Sequence, residues 1–466
     1  MVRRVVPGVL CLAFATSAEA APGELFGHEV LETPALSAAE AVERREGFQQ
    51  MLEKNNWVQI DDQVRPAAAN GAFAQPPADP QLGSFPPHRS TIFLNFFGQE
   101  GMTPGNNAAL NQSNCFNGET DWPGFMGSEA QALALIDVFE INMEPYGVRF
   151  AYEEAPPAHL PYAMVMMGGT PDLLGLGGGV LGVSCSSDCA DRWWRDTTFA
   201  FTGAINPNNA AVLGTTALHE AAHAFGLAHI GDPSRIMNPF VGSGVVTWAD
   251  SCTPYDDATG GINCQPTHAQ YCDGNPAQNT NAELLAYFGE NSPDVIPPTV
   301  NITFPEDGAT FAPGEEILVE VEVDDDHDGF GWQLVIPELD QAVQAYAFER
   351  SWTIGFPEGE YTVRVEAIDH ERNEGFDEVT IFVGGAGEDD SGLDESGDGD
   401  GSGDDGSGDD GEGSGDEAGL DGTGDDASAL DDGGDESGCN CTTDQTPPLG
   451  WMVLGLMPLA LLRRRD

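Results

Sequence analysis

The sequence predicts a mixed α/β domain, an all-β sandwich after it, and an acidic tail that does not fold. Three observations support this fold class. Strand-like and helix-like apolar patterns alternate over residues 90–292, whereas short alternating strands at regular spacing fill residues 295–384. Residues 385–438 are almost only Gly, Ser, Asp and Glu, a composition that cannot bury a core.

The composition narrows the function classes. The 466 residues include 77 acids and 17 Lys and Arg, for a net charge of −60. Such a surface repels phosphate backbones, so we expect no nucleic-acid partner. The acidity can also attract divalent cations, but solubility explains it more simply. The 58 Gly and 32 Pro exclude a single helical bundle, and the lack of long apolar runs excludes a polytopic membrane protein.

The first 20 residues have the layout of a secretory signal peptide. Arg3 and Arg4 precede an apolar stretch over residues 5–16, and Ala18-Glu19-Ala20 fits a small-residue cleavage site. Export would place the mature chain in an oxidising compartment.

Residues 21–89 form an N-terminal extension that is either a propeptide or a spacer. Residues 37–56 predict an amphipathic helix with Phe48, Met51 and Leu52 on its apolar side. The prolines that follow, from Pro66 to Pro87, predict a linker.

The α/β domain is predicted over residues 90–292. Strand, helix and then further strands indicate a mixed sheet with a helix behind it. The predicted strands are residues 91–97, 148–152, 162–167 and 197–201, and the predicted helices are residues 129–143, 208–225 and 281–288.

One motif indicates chemistry. His219 and His223 are spaced i and i+4, so a helix directs both imidazoles toward one metal ion. Glu220 lies beside them, placed to reach a water on the metal rather than the metal itself. Gly226 can end the helix with a positive φ and return His229 as the third ligand. Three His ligands suit Zn²⁺ and leave an open position for water, which is the catalytic pattern.

This motif and the segment after it resemble the metzincin metallopeptidases. The segment His229-Ile-Gly-Asp-Pro-Ser-Arg-Ile-Met237 is most similar to the matrixin-like branch. The resemblance covers roughly residues 88–290. It implies a metzincin-like fold, one zinc ion on the three histidines, Glu220 as the catalytic base and Met237 as a hydrophobic floor under the metal. No fifth Tyr ligand is expected.

The cysteines predict disulfides in that domain. Residues 21–114 contain no Cys, which excludes the matrixin form of latency through a propeptide cysteine. Three of the nine cysteines belong to the signal and the tail. An even set of six remains and suggests three disulfides, with a second zinc site as the alternative. The six are Cys115, Cys185, Cys189, Cys252, Cys264 and Cys272.

Residues 295–384 predict a β-sandwich that resembles bacterial immunoglobulin-like modules. Within it, Asp324, Asp326 and Asp328-Gly329 have the spacing that opens an EF-hand calcium loop. Val335 stands where the bidentate Glu of such a loop belongs, so a solvated turn is the preferred interpretation and Ca²⁺ the alternative.

The last 28 residues resemble the C-terminal sorting signal of many myxobacterial surface proteins. Cys439 and Cys441 precede a short apolar run over residues 449–462 and an Arg triplet, Arg463 to Arg465. The resemblance implies processing by a sorting peptidase and retention at the outer membrane or cell surface. A plain single-span anchor is the alternative, although 14 apolar residues are short for a span.

The sequence as a whole predicts an exported, surface-anchored zinc metalloendopeptidase. It would hydrolyse peptide bonds of a protein or peptide substrate through a zinc-bound water that Glu220 activates. Two alternatives stay open: a non-catalytic surface adhesin, and a zinc hydrolase of cell-wall peptides.

Overall fold

A computed structural model describes residues 23–69, 87–191, 195–242, 246–256, 262, 264–327, 329–345 and 351–384. The chain divides into two units, Met1–Asp390 and Ser391–Asp466, and every described residue belongs to the first. The predicted signal peptide, most of the proline linker, Asp328, the acidic spacer and the sorting signal lie outside the described residues.

The N-terminal extension is part of the folded domain. Its helix was predicted over residues 37–56, and Ser37 caps it: the Ser37 side chain accepts from the Glu40 backbone while the Glu40 side chain accepts from the Ser37 backbone. Pro66, predicted to lie in a linker, is instead the last residue of a strand. The elements are β1 (Glu24–Leu25), β2 (His28–Glu29), α1 (Ala38–Asn55), β3 (Trp57–Ile60) and β4 (Gln63–Pro66).

The α/β domain follows, and its predicted helices and strands are found within two residues of the expected bounds at most ends. Its strands are β5 (Ser90–Asn95), β6 (Gly98–Met102), β7 (Thr120–Pro123), β8 (Val148–Ala151), β9 (Ala163–Met167), β10 (Gly182–Ser184), β11 (Thr197–Ala200), β12 (Thr253–Pro254) and β13 (Ala277–Gln278). Its helices are α2 (Glu129–Met143), α3 (Ala210–Ala224), α4 (Gln265–Gln270) and α5 (Thr280–Phe288).

The central sheet of the described residues has the order β3-β4-β10-β11-β9-β5-β8. Strands β8, β5, β9 and β11 run parallel to one another, whereas β10 pairs antiparallel with β11 and parallel with β4. The hairpin of β3 and β4 therefore extends the sheet beyond β10, and the domain is a mixed α/β structure.

Successive apolar side chains of β5 point alternately into two hydrophobic cores, one on each face of the sheet. Ile92 and Leu94 belong to the core under α2 and α3, whereas Phe93 belongs to the core that α1 covers. This period of two within a fully buried strand is typical of a sheet covered on both faces.

Three disulfides join the six cysteines of the domain, as predicted. The pairs are Cys115–Cys185, Cys189–Cys264 and Cys252–Cys272. Disulfides persist in oxidising compartments, which indicates an extracellular or secreted protein. Within the described ranges, no helix combines the length and the apolar composition needed to cross a bilayer.

The predicted all-β sandwich is confirmed. Its two sheets have the orders β14-β16-β19 and β15-β21-β20-β17-β18 among the described residues. Val319, Val363 and Ile381 are among the side chains fully buried between them. The strands are β14 (Thr299–Phe304), β15 (Ala309–Phe311), β16 (Glu316–Asp324), β17 (Phe330–Ile336), β18 (Gln341–Ala345), β19 (Ser351–Gly355), β20 (Gly359–Asp369) and β21 (Glu374–Val383).

The sandwich packs directly on the α/β domain. The Thr91 hydroxyl and the His370 Nδ1 atom are 2.7 Å apart and buried, and Arg149 forms an ion pair with Glu371. At Gly331 a Cβ atom would overlap the His159 carbonyl, so the backbones approach each other as closely as only glycine allows.

Candidate metal centre

Helix α3 places two of the predicted ligands in the interior. Its N-terminus is capped by Asn209, whose side chain accepts from the Val212 backbone N–H. Every residue from Leu213 to Ala224 is buried. Gly214 lets α3 approach α2, because a Cβ there would lie 2.6 Å from Val138 Cβ.

Gly226 reverses the chain after α3, as predicted. Its φ is +99°, and a Cβ at this position would lie 2.7 Å from the Asp188 carbonyl oxygen and 2.8 Å from Cys264 Sγ. Both the backbone conformation and the crowding favour glycine. The reversal returns His229 to the helix that carries the other two histidines.

The three predicted histidines meet at one point. The Nε2 atoms of His219 and His223 are 3.0 Å apart, and each lies 3.1 Å from His229 Nε2. All three side chains are buried, with at most 2% of the residue exposed. Burial, and then the nearby His219, lower the pKa of His223 to about 3, which keeps this imidazole neutral.

Backbone carbonyls orient two of these rings. His219 Nδ1 donates to the Ile236 carbonyl and His223 Nδ1 to the Leu227 carbonyl, each at 2.7 Å. With their protons on Nδ1, both rings turn an Nε2 lone pair toward the common point. Met237 follows Ile236, is fully buried, and accepts through its carbonyl from the Ile230 N–H.

A fourth group completes the cluster and was not predicted. Asp62, in the turn between β3 and β4, directs its carboxylate at the three imidazoles. Its oxygens lie 3.3 Å from His219 Nε2, 3.5 Å from His223 Nε2 and 3.2 Å from His229 Nε2. Burial favours the neutral carboxyl, but opposing interactions, of which the charge of His229 is the largest, outweigh it and hold the pKa of Asp62 well below its usual value.

The spacing of the donor atoms fits a tetrahedral metal ion. Zinc ligands at about 2.0–2.1 Å from the metal are separated from one another by roughly 3.3 Å. The distances among the three nitrogens and the carboxylate range from 3.0 to 3.5 Å. Lone pairs of His219 and His223 that face each other and a carboxylate repel unless a cation lies between them. The residues can therefore hold a metal ion.

Glu220 lies on α3 beside these ligands and faces β10. A Cβ atom at Gly182 of β10 would overlap the Glu220 carboxylate. Only 1% of Glu220 is exposed, and its Oε2 receives no hydrogen bond from the described residues. Burial first, and then Asp62, raise the pKa of Glu220 well above its usual value.

Arg65 of β4 anchors the N-terminal hairpin at this site. Its guanidinium donates to the carbonyls of Ser184 at 3.1 Å and His223 at 3.2 Å. The side chain is buried, and burial lowers its pKa to about 10. Sequence reasoning missed both Asp62 and Arg65, although Asp61-Asp62 between two short alternating runs is a turn signal.

Comparisons with known proteins add little. No protein-family model matches the sequence, and no curated protein shows significant similarity. Fibronectin(III)-like modules of Clostridium thermocellum CbhA are 18% identical with a TM-score of 0.18, covering 19% of this chain and 48% of theirs. A modular endo-β-1,4-mannanase from Cellulomonas fimi is 18% identical with a TM-score of 0.14, covering 56% of this chain and 60% of its own.

The chain thus spans about half the length of the first of these structures. At such TM-scores, neither likeness supports an argument about function.

Proposed function

We propose that the chain is an exported, zinc-dependent metalloendopeptidase of the metzincin kind, folded here in a latent form. The supporting observation is the closed set of three histidine nitrogens and the Asp62 carboxylate, with Glu220 beside it. Three His ligands with a neighbouring carboxylate that is not part of the set suit hydrolysis better than a purely structural metal.

Each residue has a defined task in this proposal. When bound, zinc supplies a Lewis acid and makes water acidic enough to ionise near neutral pH. His219, His223 and His229 would hold it through Nε2. Glu220 would accept the proton of the attacking water and later give a proton to the leaving amine. The buried surroundings exclude other water from these groups.

The N-terminal hairpin keeps the site closed. Asp62 would take a position on the bound metal where the reacting water belongs. Strand β4 also pairs with β10 at Gln63 and Ser184, and so covers the sheet edge next to Glu220. An extended substrate peptide would add to that same edge once the hairpin leaves. In this proposal residues 21–89 act as a propeptide, one of the two alternatives that the sequence leaves open.

Replacing Asp62 tests both the chemistry and the latency. In the zinc-loaded full chain, Asp62→Asn should cleave casein or a peptide library at least about tenfold faster than the parent, because a neutral amide is a weak ligand. Asp61→Asn is the matched control: the neighbouring exposed carboxylate has the same charge and should leave the rate unchanged.

Two results would contradict the proposal in different ways. A chain that retains no zinc would remove the metal site. A zinc-loaded Asp62→Asn protein that cleaves no protein would exclude the endopeptidase, and cleavage of cell-wall peptides alone would assign the other hydrolase class.

We also propose that the C-terminal signal attaches the enzyme to the outer membrane or cell surface. A chain that ends before Cys439 should then appear in the medium. If the shortened chain stays on the cell, the sandwich becomes the candidate attachment module.

A further inference from the structure

Four potential metal ligands meet where the α/β domain joins the sandwich. Asp294 lies in the segment between α5 and β14, and Asp325, Asp326 and His327 lie in the loop between β16 and β17. One ligand atom from each of them lies within 4.8 Å of all the others. The cluster is formed by segments distant in sequence, so it is a product of the fold.

Two of the carboxylates are incompletely satisfied. Only 6% of Asp294 is exposed; its Oδ1 accepts from the Ile296 N–H, while its Oδ2 is buried and receives no hydrogen bond from the described residues. Asp325 Oδ1 accepts from the His327 N–H, and its Oδ2 is likewise buried without a donor. Buried polar atoms without partners are rare, and a missing ion is one of their few explanations.

The positively charged side chains nearby do not supply the missing partners of these two carboxylates. Arg89 donates instead to the Glu290 and Ser292 carbonyls and to the Ser292 hydroxyl. His327 Nδ1 lies 3.4 Å from one oxygen each of Asp294 and Asp326, so it can offset at most one charge.

We propose that Asp294, Asp325 and Asp326 form a divalent-cation site of the calcium type. Carboxylate oxygens are the ligands that hard cations such as Ca²⁺ prefer, and several carboxylates from separate segments suit its flexible coordination. The bound ion connects the segment that leaves α5 to the β16–β17 loop, and so fastens the sandwich to the α/β domain. The site does not depend on the proposed peptidase activity.

This site differs from the EF-hand-like interpretation of the sequence. That interpretation begins at Asp324, whose side chain is exposed and outside the cluster. The ligand from outside the loop is Asp294, which no loop motif includes. Asp324 therefore distinguishes the two arrangements.

Calcium titration of the full-length, zinc-loaded protein tests the proposal. Calorimetry should show one more tight Ca²⁺ equivalent in the parent than in Asp294→Asn or Asp326→Asn, with affinity reduced at least about tenfold in each variant. Ca²⁺ should raise the thermal midpoint of the parent more than that of either variant. Asp324→Asn, the matched control in the same loop, should behave as the parent.

Two outcomes would overturn the site. Identical isotherms for the parent and both variants would mean that no Ca²⁺ binds these carboxylates and that His327 is their counter-charge. Loss of binding in Asp324→Asn would favour the EF-hand-like loop. If Asp294→Asn fails to fold, Asp326→Asn decides, because Asp326 is exposed and its replacement disturbs no packing. Weak Ca²⁺ binding by the acidic tail is the same in the parent and in all variants, so it does not affect the comparison.

Discussion

Helix α3 and strand β16 differ in whether their polar side chains are buried. In α3 every residue from Leu213 to Ala224 is buried, and these include His219, Glu220 and His223. In β16 burial alternates strictly: Ile317, Val319, Val321 and Val323 face the core, while Leu318, Glu320 and Glu322 between them face solvent. Helix α3 buries titratable side chains, whereas β16 keeps its titratable side chains in solvent.

The difference separates function from stability. A buried polar group costs free energy unless partners compensate it, so a protein keeps such groups where chemistry requires them. The sandwich has no such requirement at its centre, and its core is a source of stability. Substitutions in the two regions should therefore change different measurements.

Glu220→Gln should have the largest effect, and on activity alone. Replacing the base should reduce cleavage by about 10²–10⁴-fold in the Asp62→Asn background, where no carboxylate competes for the metal. Zinc content should stay the same, because the three imidazoles are intact. The thermal midpoint should not fall: burial raises the pKa of Glu220, so a neutral side chain suits the position.

A Gln variant that cleaves at the parent rate would show that another group activates the water. A variant that unfolds would show that α3 needs this charge for stability, which would weaken the contrast between the regions.

Leu334→Ala should give the converse result. Leu334 is fully buried in the sandwich, and removing its side chain should cost about 2–5 kcal/mol of the free energy of unfolding. Leu318→Ala makes the same change at an exposed site of β16 and should cost no more than about 0.5 kcal/mol. Denaturant unfolding measures both, and cleavage per bound zinc should be unchanged. A parallel loss of activity would mean that the site depends on the sandwich.

Much of this arrangement could be predicted, because its signals are local. The i, i+4 histidines, the glycine after them and the apolar spacing of α2 each lie within a few turns of chain. Helix α2 was predicted with the observed bounds, Glu129–Met143. The alternation in β16 also follows from adjacent residues.

The missed features depend on distant contacts. Asp62 lies far from His219 in sequence, and nothing local shows that its turn folds over the histidines. Strand β10 has only three residues after a glycine-rich run, too few for a periodic pattern. Asp294 likewise meets Asp325 only because the sandwich packs on the preceding domain. The zinc interpretation and the metzincin family assignment stay predictions.

Gly182→Ala should have the smallest effect and shows how closely the strand edge fits the site. Gly182 has a φ that alanine tolerates, so the backbone of β10 should not change. The added methyl group would overlap Glu220, which is buried and must shift to avoid it. A displacement on the order of 1 Å should reduce cleavage by roughly tenfold or more, again in the Asp62→Asn background, with zinc content unchanged. Gly177→Ala, where a Cβ meets no atom within 4 Å, is the matched control and should cleave at the parent rate. Equal rates for both variants would mean that Glu220 does not act from the position seen here, and the base would have to be sought elsewhere.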